Sequence, residues 1–218
     1  MVDDCLELPE LLNEQRARLA EALESLGVKA TREQQDRLLA YLALMLRWNR
    51  SYNLTAVTEP GEMVARHLID SLSILPHLQG RRYLDAGTGP GLPGVPLAIL
   101  RPDWSFDLLD SNGKKVRFLN EVRRQLDLLN IRPLHMRLEV YAPSERPDAV
   151  LARALAPRDR LVDWTGALLD RGVPLLAMKG DLSESERRAV PAPYNVTRTE
   201  LKVPGLRAQR CLVRVEKQ

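Results

Sequence analysis

The sequence predicts an α/β fold, in which an N-terminal helical extension precedes a mostly parallel, seven-stranded β-sheet with an antiparallel hairpin at one edge. Two observations support this prediction. Apolar residues keep helical spacing through residues 1–78, whereas after Gly80 short apolar runs alternate with helical stretches, which is the pattern of βαβ units. We therefore expect a helical extension over residues 1–78, packed on a ligand-binding domain over residues 79–218.

Three helices are expected in the extension, over Glu10–Leu26, from Thr31 to Asn49, and from Pro60 to near Pro76. Gly27 follows the first helix, and glycine is favoured directly after a helix C-terminus. Thr31 and the three residues after it form the signature of a capping box at the start of the second helix. Proline is tolerated in the first turn of a helix but not beyond it, so Pro60 begins the third helix and Pro76 ends it.

Strands and helices alternate through the rest of the chain. The strands are predicted at Arg82–Asp85, Ser105–Leu109, Ile131–Met136, Ala149–Leu151 and Val173–Met178, and the helices between them at about Gly94–Leu100, Lys114–Leu126 and Pro157–Leu169. Two further β-type runs, Asn195–Lys202 and Gln209–Glu216, are joined through Pro204-Gly205. They predict a hairpin at the sheet edge.

Composition excludes several classes of protein. The 218 residues are 44% hydrophobic and 28% charged, with no apolar run near the length of roughly 18 residues that spans a bilayer. The acidic start, Asp3-Asp4, is unlike a secretion signal, so we expect a cytoplasmic protein. Cys5 and Cys211 lie at opposite ends, so we expect neither a disulfide framework nor a metal site. A net charge of +3 does not identify a nucleic-acid binder.

A glycine-rich segment from Tyr83 to Gly94, YLDAGTGPGLPG, gives the densest functional signal. A strand ends there, four glycines follow within eight residues, and a helix begins. Glycine lets the backbone approach a ligand closely, and in doubly wound sheets ligands lie beyond the carboxyl ends of the strands. The next strand ends at Asp110, whose carboxylate is placed to accept hydrogen bonds from ribose hydroxyls.

Two cofactors compete for this loop. Gly89, Gly91 and Gly94 spell the GxGxxG pattern of dinucleotide-binding proteins, although in that pattern the first glycine makes the turn directly after the strand. Here the turn begins earlier, at Asp85. A carboxylate at the strand end favours S-adenosylmethionine, which carries an ammonium and a sulfonium and no pyrophosphate. A structural role for Asp85, capping the turn that follows, is the alternative.

Matching segments spread along the chain carry a family resemblance. They are Trp48-Asn49, Tyr52 to Thr55, Arg66-His67, Asp70-Ser71, Asp85 to Pro96, Leu108 to Ser111, Gly113-Lys114, Val116 to Leu119, Arg153-Ala154 and Lys179-Gly180. In these segments the chain resembles the RsmG (GidB) family of bacterial 16S ribosomal RNA methyltransferases, over nearly its whole length. One departure is Arg210-Cys211, where the family commonly has Arg-His, which puts any RNA contact by that histidine in doubt.

The resemblance implies a Rossmann-like methyltransferase domain that transfers a methyl group from S-adenosylmethionine to N7 of one guanine in the decoding-region loop of 16S RNA. The RNA partner would be the small ribosomal subunit or a precursor of it, and the protein is expected to be a monomer. Together, the loop pattern and the resemblance predict these cofactor-binding residues: Asp85, Gly87, Thr88, Gly89, Leu92, Asp110, Leu138, Glu139 and Arg153.

Guanine N7 bears no hydrogen, so methylation there requires no general base, and we expect catalysis by positioning. Arg153, Asn53 and His67 are the candidates, and for His67 a packing or hydrogen-bonding role is favoured over proton transfer. Asn53 and Thr55 serve either to cap their loop or to contact substrate. The predicted RNA-phosphate contacts are Arg66, Lys114, Lys115, Arg117 and Lys179. Trp48 and Trp164 are expected in the core.

Two other functions remain open from the residues alone. The first is an NAD-dependent oxidoreductase, since the GxGxxG spelling is present. The second is a non-catalytic module that binds the ribosome and retains the cofactor pocket.

Overall fold

The computed structural model describes residues 7–153, 158–180 and 193–217 of the chain. Cys5, Ala154 and the predicted helix start at Pro157 lie outside these residues. Within the described residues, no helix combines the length and the apolar character that spanning a membrane requires.

The first two helices of the extension follow the sequence prediction closely. Helix α1 spans Glu7–Ser25 and helix α2 spans Arg32–Tyr52. The predicted capping box is present at α2, because the Thr31 hydroxyl accepts the Gln34 amide and the Gln34 side chain accepts the Thr31 amide. Asn53 ends α2 in a left-handed conformation.

The third predicted helix is not one α-helix, and the prediction was wrong in this respect. The chain forms α3 over Pro60–Met63, a π-helix over Val64–Ile69, α4 over Asp70–Leu72, and a 3₁₀ turn over Leu75–His77. In the π-helix the Asp70 amide bonds to the Ala65 carbonyl, five residues back, in place of the Arg66 carbonyl four residues back.

A seven-stranded sheet carries the rest of the fold, as predicted. Its strands are β1 (Arg82–Ala86), β2 (Ser105–Asp110), β3 (Ile131–His135), β4 (Ala149–Arg153), β5 (Leu175–Lys179), β6 (Tyr194–Leu201) and β7 (Arg210–Lys217). Their order is β3-β2-β1-β4-β5-β7-β6. The first five are parallel, and β7 runs antiparallel to both β5 and β6.

Helices cover the sheet between the strands: α5 over Gly94–Leu100, α6 over Gly113–Gln125 and α7 over Arg158–Asp170, with a 3₁₀ turn over Leu138–Val140. The larger apolar cluster joins α2, α5 and α6 to one face of the sheet, so the extension and the sheet share a core. The smaller cluster covers the other face. Trp48 packs against Tyr52 and Phe118 beside the larger cluster, and Trp164 borders the smaller one.

Candidate functional site

The glycine loop lies at the carboxyl end of β1, which is flanked by β2 on one side and β4 on the other. The chain passes from β1 to β2 on one side and crosses from β3 to β4 on the other, so the loop sits where the strand order reverses. Ligands bind at such switch points in open α/β sheets. The Thr88 amide donates to the Leu109 carbonyl at 3.0 Å, which ties the loop to the end of β2.

Asp85 organises this loop from a fully buried position. Its Oδ2 accepts hydrogen bonds from the Thr88 hydroxyl at 2.7 Å and from the Gly94 amide at 2.8 Å. Its Oδ1 is buried without a partner among the described residues. Burial raises the pKa of Asp85 to about 7, although its two hydrogen bonds lower it. One oxygen therefore caps the turn, and the other has no partner among the described residues.

Two of the loop glycines are required by close packing. A Cβ at Gly94 would lie 2.3 Å from Leu108 Cδ2 and 2.7 Å from Asp85 Oδ2. Gly91 has a φ of +105°, and a Cβ there would lie 2.5 Å from Val95 Cγ2. The lack of a side chain at Gly94 therefore lets the start of α5 rest directly on β1 and β2, and Gly91 allows a left-handed turn packed against Val95.

The carboxylate of Asp110 holds the loop from the neighbouring strand. Its Oδ2 accepts the Gly89 amide at 2.9 Å and its Oδ1 accepts the Asn112 amide at 2.8 Å. Lys115 Nζ lies 3.5 Å from Oδ2, so this lysine, predicted to contact RNA, has a partner inside the site. Asp110 lies at the end of β2, as predicted. Its carboxylate, predicted to bind ribose hydroxyls, accepts hydrogen bonds from backbone amides of the protein in this structure.

The remaining predicted cofactor residues lie around the carboxyl ends of the same strands. Gly87 follows β1 with a φ of +63°, and Leu92 is buried inside the loop. Leu138 is buried and Glu139 is exposed in the 3₁₀ turn that follows β3. Arg153 ends β4. The ends of β1, β2, β3 and β4 thus each supply predicted residues, as expected for a shared pocket.

Tyr41, on helix α2, is a site residue that the sequence reasoning missed. It is fully buried, and its hydroxyl donates to the Pro90 carbonyl of the glycine loop at 2.7 Å. Burial raises its pKa well above the usual value, so the hydroxyl stays protonated. In the sequence this tyrosine is one more member of a helical apolar stripe, with nothing to mark its hydroxyl.

Arg153 is bound to the extension by three contacts. Its Nη2 donates to the Arg66 carbonyl at 2.6 Å and lies 3.2 Å from Asp70 Oδ2, and its Nη1 donates to the Ser71 hydroxyl at 3.4 Å. The other oxygen of Asp70 accepts from Arg210 Nε at 3.0 Å. Asp70 and Arg210 were not among the predicted site residues, because their partners are distant in sequence.

His67 and the loop before it form a polar cluster beside Arg153. His67 is buried, its Nε2 lies 2.9 Å from the Thr55 hydroxyl, and its Nδ1 has no partner among the described residues. Burial, and then the charge of Arg153, lower its pKa to about 4. Asn49 fixes Thr55 by bonding to both its amide and its carbonyl, whereas Asn53 is exposed.

The other predicted RNA contacts lie on three different elements, the π-helix, α6 and β5, and we call the surface that they share the rim. Arg66 is exposed, 3.9 Å from Glu62, and Lys114 and Arg117 are exposed on α6. Lys179 is half-buried at the end of β5, paired in register with Cys211. Cys211 itself is fully buried in the smaller apolar cluster. A side chain at position 211 therefore faces the core, which removes this position from the RNA-contact candidates.

Comparisons with known proteins place this chain in a family. The family model described as rRNA small subunit methyltransferase G matches residues 34–213. A protein named ribosomal RNA small subunit methyltransferase G from Shewanella sp. (strain MR-4) is 44% identical over 93% of this chain and 98% of its own length. Its namesake from Legionella pneumophila is 48% identical over 82% of this chain and 85% of its own length.

Solved structures share the fold at low sequence identity. Cofactor-bound Rv0187 from MTB aligns with a TM-score of 0.57 and 15% identity, over 82% of this chain and 91% of that one. A SAM-dependent methyltransferase from Aquifex aeolicus aligns with a TM-score of 0.50 and 15% identity, over 68% of this chain and 89% of that one. The Rossmann-like methyltransferase fold predicted from the sequence is confirmed.

Proposed function

Since the chain belongs to the rRNA small subunit methyltransferase G family, we propose that it transfers a methyl group from S-adenosylmethionine to small-subunit ribosomal RNA. The observation that carries the proposal is the glycine loop, in which the fully buried Asp85 keeps one oxygen, Oδ1, without a partner. The loop thus contains a buried carboxylate oxygen in need of a partner, which suits a cationic cofactor.

The residues of the loop fit this cofactor. An unpaired buried oxygen costs free energy unless a donor or cation reaches it, and the ammonium group of the cofactor would supply one. The cofactor would lie along the loop residues Gly87, Thr88, Gly89 and Leu92. Its ribose would be near Asp110, and its adenine would be near Leu138 and Glu139. When bound, the cofactor supplies the methyl group on a positively charged sulfur.

An oxidoreductase is less consistent with the sheet. In dinucleotide-binding folds the sixth strand continues the parallel sheet, with the order 3-2-1-4-5-6. Here β7 enters antiparallel between β5 and β6. The turn after β1 also begins at Asp85, before the GxGxxG spelling, and Asp85 would repel a pyrophosphate.

We propose guanine N7 as the acceptor atom, with positioning as the source of catalysis. An N7 lone pair attacks without prior loss of a proton, so no general base is needed. His67 is poorly suited to be one, since its pKa is lowered to about 4 and Thr55 occupies its Nε2. Arg153 would order the end of β4 through its contacts with the extension, and Asn53, which is exposed, would contact substrate.

The RNA would bind across the rim that carries the exposed Arg66, Lys114 and Arg117, with Lys179 at the end of β5. Lys115 would contribute through Asp110 rather than by direct contact, because of its internal partner. We propose 16S RNA in the small subunit or its precursor as the substrate, bound by a monomer in the cytoplasm.

Transfer of labelled methyl groups from S-adenosylmethionine to small ribosomal subunits that lack this modification tests the proposal. Recovery of labelled 7-methylguanosine from one site is the expected result, with free 16S RNA as the comparison substrate. Protection from thermal unfolding by S-adenosylhomocysteine, but not by NAD, should accompany it. Cofactor and subunit binding without any transfer would support the non-catalytic module instead.

A further inference from the structure

Asp70 binds two arginines with one carboxylate. Its side chain is only 3% exposed, its Oδ2 lies 3.2 Å from Arg153 Nη2, and its Oδ1 lies 3.0 Å from Arg210 Nε. Arg153 comes from β4 and Arg210 from β7, so the carboxylate of the extension joins two separate strands of the sheet. The three formal charges sum to one positive charge.

The π-helix prepares this arrangement. An α-helical Asp70 amide would bond to the Arg66 carbonyl, but here it bonds to Ala65, and the Arg66 carbonyl accepts Arg153 Nη2 at 2.6 Å. Ser71 accepts from the other terminal nitrogen of Arg153. Because both terminal nitrogens are bound to one short segment, the Arg153 guanidinium is held in a single orientation.

The held charge lies close to the glycine loop, because Arg153 ends β4 beside the end of β1, the strand from which the loop leaves. Burial sets the main direction of the pKa changes at Tyr41, His67 and Asp85, and in each of the three the positive charge of Arg153 lowers the pKa. Tyr41 bonds to the loop and Asp85 belongs to it. The charge of this cluster therefore acts on the place where the cofactor would bind.

We propose that Asp70 is a positioning residue for the cofactor: it holds Arg153 at the end of β4 and cancels one of two guanidinium charges that would otherwise oppose a cationic ligand. The inference rests on the proposed function, because S-adenosylmethionine is the ligand that carries a sulfonium charge. Two uncompensated arginines beside the loop would raise the local positive potential, and in a partly buried site such potentials are weakly screened.

The dissociation constants of S-adenosylmethionine and S-adenosylhomocysteine, measured by calorimetry on the full chain, test this role. The two ligands differ by the sulfonium charge and its methyl group. Asp70→Asn keeps the shape of the side chain and removes its charge. We expect it to weaken S-adenosylmethionine by roughly three- to tenfold more than S-adenosylhomocysteine. A merely structural loss would weaken both ligands alike.

Two further variants keep the test decisive if Asp70→Asn folds poorly. Arg210→Met removes one cation and leaves the Asp70–Arg153 pair, so it should shift the ratio of affinities toward S-adenosylmethionine. Asp70→Asn with Arg210→Met restores the net charge and should return the ratio toward that of the natural chain.

Asp107→Asn is the matched control. Asp107 also bridges two groups, Arg132 and Tyr141, but it lies within β2 and belongs to a separate ion pair, and its loss should leave the ratio unchanged. A ratio that stays constant in Asp70→Asn and Arg210→Met would overturn the inference alone. A natural chain that binds neither ligand would instead overturn the proposed function, and this inference with it.

Discussion

The Tyr41 hydroxyl donates a 2.7 Å hydrogen bond to the Pro90 carbonyl, joining helix α2 of the extension to the apex of the glycine loop. Both partners lie on the side of the sheet covered by the extension, and the Tyr41 ring packs near Phe118 of α6, 6.3 Å between ring centroids. The loop is thus supported by a helix outside its own βαβ unit.

Tyr41→Phe should loosen the loop with little change in packing. It leaves the Pro90 carbonyl without its donor, which costs roughly 1–2 kcal/mol in a buried setting. We expect a corresponding loss of unfolding free energy and a several-fold weaker binding of S-adenosylhomocysteine, measured by denaturant titration and calorimetry. Tyr141→Phe removes a hydroxyl bonded to Asp107 at 2.6 Å, away from the loop, and should affect stability alone. Equal binding by both variants would contradict a role for Tyr41 in the loop.

Asp85 should make stability depend on pH. Its pKa is raised by burial to about 7, above the unfolded value of about 3.9. The stability it contributes is therefore full below about pH 4 and is lost as pH rises through 7, on the order of 4 kcal/mol in total. Urea unfolding at pH 5.5 and 8 should show the natural chain losing about 2 kcal/mol relative to Asp85→Asn.

Asp85→Asn should bind the cofactor at least about tenfold more weakly than the natural chain, since a neutral amide replaces the carboxylate. Asp148→Asn is the control at the amino end of β1, where Asp148 accepts the Arg81 and Arg82 amides at 2.7 and 2.9 Å. It should leave cofactor affinity unchanged. A pH dependence in Asp85→Asn equal to that of the natural chain would refute the assignment.

Gly94→Ala and Gly166→Ala should have opposite effects. At Gly94 the new Cβ meets Leu108 at 2.3 Å, so overpacking should cost about 1–3 kcal/mol and displace the loop. At Gly166, in α7, nothing lies within 4 Å of a Cβ, and alanine should stabilise the helix by about 0.5–1 kcal/mol. Melting temperatures and cofactor titrations of both variants would show this. An unchanged melting temperature and affinity in Gly94→Ala would mean that the loop can shift to accommodate the new methyl group.

His67 should destabilise the protein in acid. Its pKa is lowered from about 6.5 to about 4 by burial and by the Arg153 charge, so the stability it contributes is present above about pH 6.5 and declines as pH falls through 4. Relative to His67→Gln, the natural chain should lose on the order of 2 kcal/mol between pH 7 and about pH 4.5. His77→Gln, in the 3₁₀ turn, serves as the matched control. Parallel pH profiles for the natural chain and His67→Gln would argue against the buried neutral state.

Charge reversal on α6 should reveal the RNA-binding face. Lys114→Glu and Arg117→Glu remove exposed cations at the amino-terminal half of the helix, and each should weaken RNA binding and reduce the slope of log affinity against log salt by about 1. Arg124→Glu makes the same charge change on the same helix, where Arg124 pairs with Glu121, and should have a smaller effect. Unchanged affinity and salt slope in the first two variants would exclude these contacts.

Interactions between residues a few positions apart could be predicted from the sequence. The Thr31 capping box and the edge hairpin of β6 and β7 were predicted and are confirmed, and the first strand ends at Ala86, one residue beyond the predicted end at Asp85. Each depends on backbone conformation and local hydrogen bonds, which neighbouring residues determine almost alone. The α/β architecture follows from them, because parallel strands joined by helices pack in few ways.

Contacts between distant residues were decided only by the tertiary structure. Asp70 meets Arg153, 83 positions later (153 minus 70), and Arg210, 140 positions later, and Tyr41 meets Pro90 across 49 positions. Within the π-helix the Arg66 carbonyl accepts a hydrogen bond from Arg153 of β4, a partner that no local pattern indicates. Such pairings need the whole chain folded before either partner is near the other, and a single buried carboxylate or hydroxyl leaves no periodic trace in the sequence. The sequence therefore determined where the glycine loop lies and which elements surround it, and the packing of the extension decided which charges and hydroxyls hold the loop in place.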